Sequence, residues 1–263
     1  GNRGKYLSLR AKIYTLPDDI YSTYVQSANR AGLDIQRTGV ATRCATQLIL
    51  AQGEKPNHYF YVDIGAKITN ISLIGNSSPY GSLSTNHAGE ELSAYIAKNL
   101  GISFEEAESL KIKYGYDERV TKFSMPILSK VNEDGSKVIV KQEQLNKLIE
   151  DYYAQFVNYI NTAIETLAKN QLKSQNQSDA DISRFTRLPI IISGGSSSLH
   201  GIEKVLKSLT NNGTRTVETF APTIIGARDP GATNICGLIV AEGEYKGTLE
   251  DSYHRVSTLT RGN

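Results

Sequence analysis

Residues 59–74, YFYVDIGAKITNISLI, constrain the fold of this chain more than any other stretch. A β-rich run at 59–64 meets a small-residue turn at Gly65 and Ala66, and a second β-rich run follows at 70–74. Two such runs joined by a short glycine-containing turn are typical of a β-hairpin. We therefore predict a hairpin here, with its tip formed by the residues between the two runs.

The predicted hairpin tip carries groups that could hold a phosphate. Glycine lets backbone N–H groups approach a ligand closely, and successive free N–H groups in a turn form a cradle for phosphate oxygens. The carboxylate of Asp63 could hold Mg²⁺ through water or position a water, because this ion usually bridges protein carboxylates and substrate phosphates. An ordinary hairpin with a polar turn is the commoner interpretation of such a stretch. The alternative is a nucleotide-phosphate loop formed by Asp63, Gly65, Ala66, Lys67 and Thr69.

The size and charge of the chain narrow the possible classes. Its 263 residues suffice for one large domain or two ordinary ones. The net charge is only +2 and no dense Lys/Arg cluster is visible, which argues against nucleic acid as the main partner. No apolar run approaches the roughly 18 residues of a membrane-spanning helix. Cys44 and Cys236 lie far apart, so we expect no disulfide framework or zinc site and a reducing cytoplasm.

Helices and strands alternate on both sides of the hairpin. We predict further strands at 6–14, 33–40, 78–85, 120–123, 127–131, 137–140, 188–193 and 214–220. We predict helices at 17–32, 41–52, 90–100, 104–114, 143–173, 203–209 and 235–241. Ser103 and Glu106 have the spacing of a capping box at the start of one of these helices. Such alternation is typical of an α/β domain, and the longest helix has the apolar spacing of an amphipathic helix packed on a core.

A second glycine-rich turn follows the predicted strand at 188–193. A strand that runs into Gly194 and Gly195 and then into a helix lets the backbone lie flat against a purine or ribose, or hold a phosphate at the helix N-terminus. Ser196 and Ser198 would add hydroxyl groups to such a site. A tight turn that needs glycine only for its dihedral angles is the alternative.

Glu108 and Lys111 lie one helical turn apart on one face of a predicted helix. This spacing suits hydrogen bonds to ribose hydroxyls, and it equally suits a surface ion pair. When the two residues are considered alone, the surface ion pair is the favoured interpretation. Basic residues continue beyond the pair, and they either dock an acidic peptide or form a solvated face. These residues are Lys111, Lys113, Arg119, Lys122 and Lys130.

The order of these motifs resembles the second half of the actin-like ATPase superfamily. In that superfamily a hairpin of this type, an Ala-Glu-x-x-Lys helix and a strand-Gly-Gly turn are the phosphate-two, ribose and adenosine elements. Within it, the chain is most similar to the FtsA family of cell-division proteins and to its relative PilM of type IV pili. The resemblance is carried by AGLDI at 31–35, HAGEEL at 87–92, EEAESLKIKYG at 105–115 and GARDP at 226–230.

The resemblance implies a fold and a division of the chain. The expected fold class is α/β, an actin-like ATPase (ribonuclease H-like) subdomain IIA with an inserted α+β subdomain IIB. Residues 1–87 and 188–241 would form subdomain IIA, residues 88–187 the insertion, and residues 242–263 a flexible tail. The chain begins at Gly1 almost directly in strand-like sequence and has a single methionine, Met125, so we expect a fragment of a longer protein.

The resemblance also implies a ligand. ATP and Mg²⁺ would be the cofactors, with Mg²⁺ near Asp63. The expected contacts to ATP come from Asp63, Gly65, Ala66, Lys67, Thr69, Glu108, Lys111, Gly194, Gly195, Ser196 and Ser198. The chain departs from the family at residues 66–68, which read Ala-Lys-Ile where the family usually has two glycines and a threonine. We expect weak ATPase activity at most in the full-length protein, and none in this chain alone.

The family's role supplies the remaining expectations. FtsA-like proteins polymerise into protofilaments and tether the FtsZ ring to the membrane, so we expect self-association and docking of the FtsZ C-terminal peptide on the basic residues of subdomain IIB. The expected location is cytoplasmic and peripheral at the inner face of the cell membrane, with membrane contact only through segments absent from this chain. Two alternatives stay open: a PilM-like scaffold of pilus assembly, or a degenerate, non-hydrolysing interaction module.

Overall fold

The computed structural model describes residues 14–35, 38–52, 56–120, 125–131, 135–175, 182–210, 215–224 and 226–246. These residues fall into two compact units, one that ends at Val40 and one that begins at Ala41. The first unit contains α1 (Asp18–Arg30), which has acids in its first turn and Arg30 in its last, as the helix dipole favours. This helix confirms the prediction for that stretch.

The predicted strand at 33–40 is wrong for its described residues. Residues 33–35 and 38–40 adopt no regular structure. A strand has to pair its N–H and C=O groups with a neighbouring strand, and the described part of the first unit offers no such neighbour. The strand predicted at 6–14 lies almost entirely outside the described residues.

The second unit contains the hairpin and most of the predicted elements. Its strands are β1 (His58–Ile64), β2 (Thr69–Gly75), β3 (Ser78–Thr85), β4 (Pro126–Val131), β5 (Lys137–Lys141), β6 (Ile190–Ser193), β7 (Val217–Thr219), β8 (Thr223–Ile224) and β9 (Ala227–Arg228). Its helices are α2 (Ala41–Ala51), α3 (Gly89–Leu100), α4 (Phe104–Tyr114), α5 (Gln142–Ser174), α6 (Ser183–Thr186), α7 (Ile202–Leu209) and α8 (Thr233–Lys246). The strand predicted at 120–123 falls mainly on residues that are not described.

A five-stranded mixed sheet with the order β3-β2-β1-β6-β7 forms the centre of this unit. The predicted hairpin is β1 and β2, with Ile64 opposite Thr69 at its tip, and β3 continues the antiparallel meander. The chain then leaves the sheet for residues 88–187 and returns as β6, which pairs parallel to β1 and places Ser193 beside Asp63. The carboxyl ends of β1 and β6 therefore meet at one edge of the sheet.

Helices cover both faces of the sheet. Because successive side chains of a strand point to opposite faces, Phe60 and Val62 belong to one apolar cluster, and Tyr59 and Tyr61 to the other. The first cluster includes the apolar stripe of α5, and the second includes residues of α2 and α8. Burial on both sides explains why β1 is an almost continuous apolar run.

Close packing joins α2 to α8. A side chain at Gly237 would overlap the backbone carbonyl of Cys44, so only glycine permits this approach. Cys44 and Cys236 are both buried, and both are free thiols. In the part of the chain that the structure describes, no helix is long and apolar enough to span a membrane.

The predicted capping box is present at the start of α4. The Ser103 hydroxyl accepts a hydrogen bond from the Glu106 amide at 3.2 Å, and the Glu106 carboxylate accepts one from the Ser103 amide at 2.8 Å. Two backbone N–H groups without a partner inside the helix are thereby satisfied. The start of α4 is thus defined by the local sequence.

Replacing Ser103 with alanine should lower the free energy of unfolding by about 1 kcal/mol, because an amide at the start of α4 loses its acceptor. The matched control is Ser109→Ala at an exposed position of the same helix, where alanine has the higher helix propensity. Urea denaturation followed by circular dichroism measures both variants. Equal effects of the two substitutions would contradict the capping role.

Candidate functional site

The hairpin tip is a four-residue turn closed by its own backbone. The Gly65 amide donates to the Ile68 carbonyl at 3.0 Å, and a Cβ at Gly65 would lie 2.8 Å from that same oxygen. The amides of Ala66 and Lys67 donate to no other described residue. The side chain of Lys67 is exposed. The tip therefore offers two backbone donors and one ammonium group to solvent or to a ligand.

Carbonyl groups of this tip are fastened to two other segments. The Gly65 carbonyl accepts from the Gly89 amide at 3.1 Å and from the Ser196 hydroxyl at 2.8 Å. The Ala66 carbonyl accepts from the Glu90 amide at 2.7 Å. These amides open α3, where N–H groups have no partner within the helix. The hairpin thus serves as the cap of α3, and Ser196 is brought to the same point.

Thr69 has a structural role and is not exposed to a ligand. Its side chain is fully buried, and its hydroxyl donates to the His87 carbonyl at 2.7 Å. The hydroxyl therefore holds the segment that leads into α3. It does not line the pocket described below.

The two adjacent glycines after β6 have different environments. Gly194 has φ +90°, and a Cβ there would lie 2.5 Å from both Asp63 Oδ1 and the Ile64 carbonyl. Gly195 has no atom within 4 Å of the position that a Cβ would occupy. The conformation of the turn therefore requires glycine at 194, whereas at 195 it leaves open space. Residues Gly195–Ser198 form a short 3₁₀ turn, and the predicted helix at 203–209 follows it as α7.

Asp63 lies half-buried at the carboxyl end of β1. Its Oδ2 accepts a hydrogen bond from the Asn234 side-chain amide at 2.9 Å, which ties β1 to the start of α8. The described residues contain no group of three or more His, Cys, Asp or Glu side chains that could hold a metal. The single carboxylate of Asp63 could hold Mg²⁺ only together with waters and the phosphates of a ligand, which is how proteins usually bind this ion.

Glu108 and Lys111 form a partly buried pair. The Lys111 ammonium donates to Glu108 Oε2 at 2.7 Å and to the Gly89 carbonyl at 2.9 Å, and Lys111 is only 8% exposed. The Ser93 hydroxyl also donates to Glu108 Oε2. Partial burial raises the pKa of Glu108, but the hydrogen bonds from Lys111 and Ser93 outweigh it, so the pKa lies below its usual value. The pair is thus a charged wall of a pocket, and not an ordinary surface ion pair.

These segments enclose a pocket of about 260 Å³. It is lined by Ala66, Gly89, Leu92, Glu108, Lys111, Ile112, Tyr153, Gly195, Ser196, Ser198 and Leu199. The three motifs found in the sequence therefore meet at one place. Asp63, Gly65, Lys67, Thr69 and Gly194 lie in the elements that build the pocket but are not among its lining residues.

A family model for the cell division protein FtsA matches residues 60–237. The chain belongs to the FtsA family. Its relatives include the FtsA proteins of Enterococcus faecalis, 26% identical over 97% of this chain and 53% of the relative, and of Bacillus subtilis, 22% identical over 90% and 50%. The chain spans about half the length of these curated relatives.

Solved structures show the same fold. MreB 5 of Spiroplasma citri bound to AMPPNP superimposes with a TM-score of 0.65 at 15% identity, over 90% of this chain and 68% of that one. The PilM–PilN type IV pilus biogenesis complex gives 0.57 at 16% identity, over 84% and 57%. The predicted actin-like α/β fold and the resemblance to the FtsA and PilM group are both confirmed.

In this FtsA-family chain, two of the four described basic residues are held in other contacts. Lys111 lies in the pocket, and Lys130 donates to both carboxylate oxygens of Glu106, at 2.8 and 2.6 Å. The hydrogen bond from Lys130 lowers the pKa of Glu106. Lys113 and Arg119 are exposed, and Lys122 lies outside the described residues.

Several residues of this FtsA-family site have no recognisable signal of a binding role in the sequence. Leu92, Ile112, Tyr153 and Leu199 form its apolar wall. Leu92 and Ile112 lie in stretches that resemble the family, but an apolar side chain has the same pattern in a pocket wall as in the core. Ser93 and Asn234 hold the two carboxylates of the site, and each has the pattern of an ordinary helix residue. Gly89 lies in the same stretch as Leu92, and a glycine at the start of a helix is a further usable signal.

The two glycines should respond differently to alanine. Gly194→Ala should lower the free energy of unfolding by about 3 kcal/mol, because its backbone conformation is essentially restricted to glycine and a Cβ would overlap Asp63. Gly195→Ala should change it by less than about 1 kcal/mol. Urea denaturation of both variants tests the difference, and an equal loss would contradict the geometry given for this turn.

Proposed function

We propose that the protein is an FtsA-like actin homologue that binds ATP with Mg²⁺ in this pocket, forms protofilaments and tethers the FtsZ ring to the membrane during cell division. The observation that carries the nucleotide assignment is that three separate motifs converge on one pocket of about 260 Å³. They supply free backbone amides, a carboxylate–ammonium pair and open space beside a glycine, which suit phosphates, ribose hydroxyls and a flat base respectively.

The base and ribose would lie against the 3₁₀ turn and α4. The missing side chain at Gly195 leaves room for a flat ring, and Leu199 and Ile112 provide apolar contact. Glu108 and Lys111 would bind the ribose, since a carboxylate accepts from one hydroxyl while an ammonium donates to another. This assignment fits the open position of Gly195, which the fold of the chain itself does not explain.

The phosphates would lie at the hairpin tip. The free amides of Ala66 and Lys67 and the Lys67 ammonium suit phosphate oxygens, and Asp63 would hold Mg²⁺ together with them. When bound, Mg²⁺ would neutralise phosphate charge. The backbone amides remain available although the turn has Ala66 and Lys67 in place of glycines, so we propose ATP binding with at most weak hydrolysis in the full-length protein.

The partner that we propose is the one that the family resemblance implies. The FtsZ C-terminal peptide would dock on residues 88–187, with contacts from Lys113 and Arg119, which are the exposed ones among the described basic residues predicted for this surface. Lys111 takes no part in this surface because it belongs to the pocket. Location at the inner face of the cell membrane would follow from this role.

Lys111→Met should weaken ATP binding by roughly 10- to 100-fold, because a hydrogen bond to a charged group is worth about 1.5–3 kcal/mol. The matched control is Lys113→Met, two positions along the same helix and exposed, which should leave ATP affinity unchanged. Isothermal titration calorimetry of the full-length gene product measures both. Absence of ATP binding by the unmodified full-length protein would overturn the nucleotide assignment.

A double charge reversal, Lys113→Glu with Arg119→Glu, should weaken binding of the FtsZ C-terminal peptide several-fold and leave ATP affinity unchanged. Lys111→Met serves as the reciprocal control, since it should impair ATP binding only. Titration calorimetry with the FtsZ peptide and with a peptide from an inner-membrane pilus protein distinguishes the partners. Binding of the pilus peptide without binding of the FtsZ peptide would favour the PilM-like alternative.

A further inference from the structure

Ser93 occupies an unusual position for a buried hydroxyl. It lies in α3, is 0% exposed, and its hydroxyl donates to Glu108 Oε2 on the neighbouring helix α4. The Gly89 carbonyl, one turn earlier in α3, is the other acceptor within reach, at 3.3 Å. Because a charged acceptor makes the stronger hydrogen bond, the Ser93 hydroxyl donates to Glu108 and not to the Gly89 carbonyl. Ser93 therefore acts across two helices and not only within its own.

The hydrogen bonds around Glu108 leave one carboxylate oxygen and one Lys111 N–H group without a described partner. Its Oε2 accepts from both Ser93 and Lys111, whereas Oε1 has no partner among the described residues. Lys111 has three N–H groups and uses two of them, on Glu108 and on the Gly89 carbonyl. One acceptor atom and one donor N–H are thus left side by side at the pocket, where Glu108 is 35% exposed.

We propose that Ser93 is a positioning residue that orients the Glu108 carboxylate and thereby sets the preference of the pocket for nucleotides with a ribose 2′,3′-diol. A vicinal diol offers one hydroxyl to donate to Oε1 and one to accept from Lys111. The terminal torsion of a glutamate is broad, so a carboxylate held by Lys111 alone can rotate away from this arrangement. The inference rests on the proposed nucleotide function, and it adds the residue that makes the sugar contact selective.

The test compares ATP, 2′-deoxy-ATP and 3′-deoxy-ATP by titration calorimetry on the full-length gene product. The unmodified protein should bind ATP roughly tenfold or more tightly than either deoxy analogue, because losing one hydrogen bond to a charged group costs about that factor. Ser93→Ala should lower the affinity for ATP to that of the analogue that lacks the hydroxyl bound to Oε1, and leave the affinity for that analogue unchanged. Alanine is tolerated in helices, and thermal unfolding checks that the variant is folded.

The matched control is Ser72→Ala. Ser72 is also 0% exposed and hydrogen-bonds another side chain, the Ser82 hydroxyl at 2.7 Å, but it does not line the pocket. This variant should keep the full preference for ATP. Loss of discrimination in Ser72→Ala as well would assign the effect to general loosening of the fold and overturn the role of Ser93.

A second measurement needs no nucleotide. Carboxyl-carbon NMR titration should show a higher pKa for Glu108 in Ser93→Ala, because a donor to the charged form is removed. Glu106, whose pKa is lowered by its hydrogen bond from Lys130, is the internal reference and should not move. An unchanged pKa of Glu108 would overturn the proposed orientation.

The outcomes separate the two proposals. The proposed role of Ser93 is wrong if the unmodified protein binds ATP and the deoxy analogues equally, or if Ser93→Ala weakens the binding of all three alike. The proposed nucleotide function stands in both cases. If the unmodified protein binds none of the three, the nucleotide function falls, and the inference falls with it. A preference for ATP over the analogue without the Oε1-bound hydroxyl, removed by Ser93→Ala and kept by Ser72→Ala, supports both.

Discussion

The carbonyl of Gly65 is the group on which the rest of the site depends. It accepts hydrogen bonds from the Gly89 amide at 3.1 Å and from the Ser196 hydroxyl at 2.8 Å, so one oxygen joins three segments that are far apart in sequence. Buried backbone groups have to be paired. The hairpin tip therefore cannot shift without leaving the first amide of α3 unsatisfied. Hydrogen bonds between the segments that line the pocket thus fix its shape.

The parallel pairing of β6 with β1 makes this junction possible. It places Ser193 beside Asp63, so the carboxyl ends of two strands open at the same edge of the sheet. The positive φ of Gly194 then turns the chain closely past Asp63. In open α/β sheets ligands bind outside the carboxyl ends of the strands, and the pocket of this FtsA-family chain follows that rule.

Local patterns predicted most of the fold. The hairpin, the meander strand at 78–85, the capping box at Ser103 and the apolar stripe of α5 were all visible, because alternation and turn chemistry depend on neighbouring residues. The strand predicted at 33–40 is absent from its described residues, because strand formation also depends on a pairing partner elsewhere in the chain. A run of suitable residues cannot show whether a pairing partner exists, and here the described residues supply none.

By itself, the sequence determined most of the helices and strands, the order of the three motifs, and the resemblance to the FtsA family that four short stretches carry. Only the tertiary structure decided that Lys111 faces a pocket, that Gly195 borders open space, and that Ser93 and Asn234 hold the two carboxylates. The hydrogen bonds of Ser93 and Asn234 span 15 and 171 residues of sequence. Such contacts arise when helices pack on a sheet, and no local periodicity encodes them.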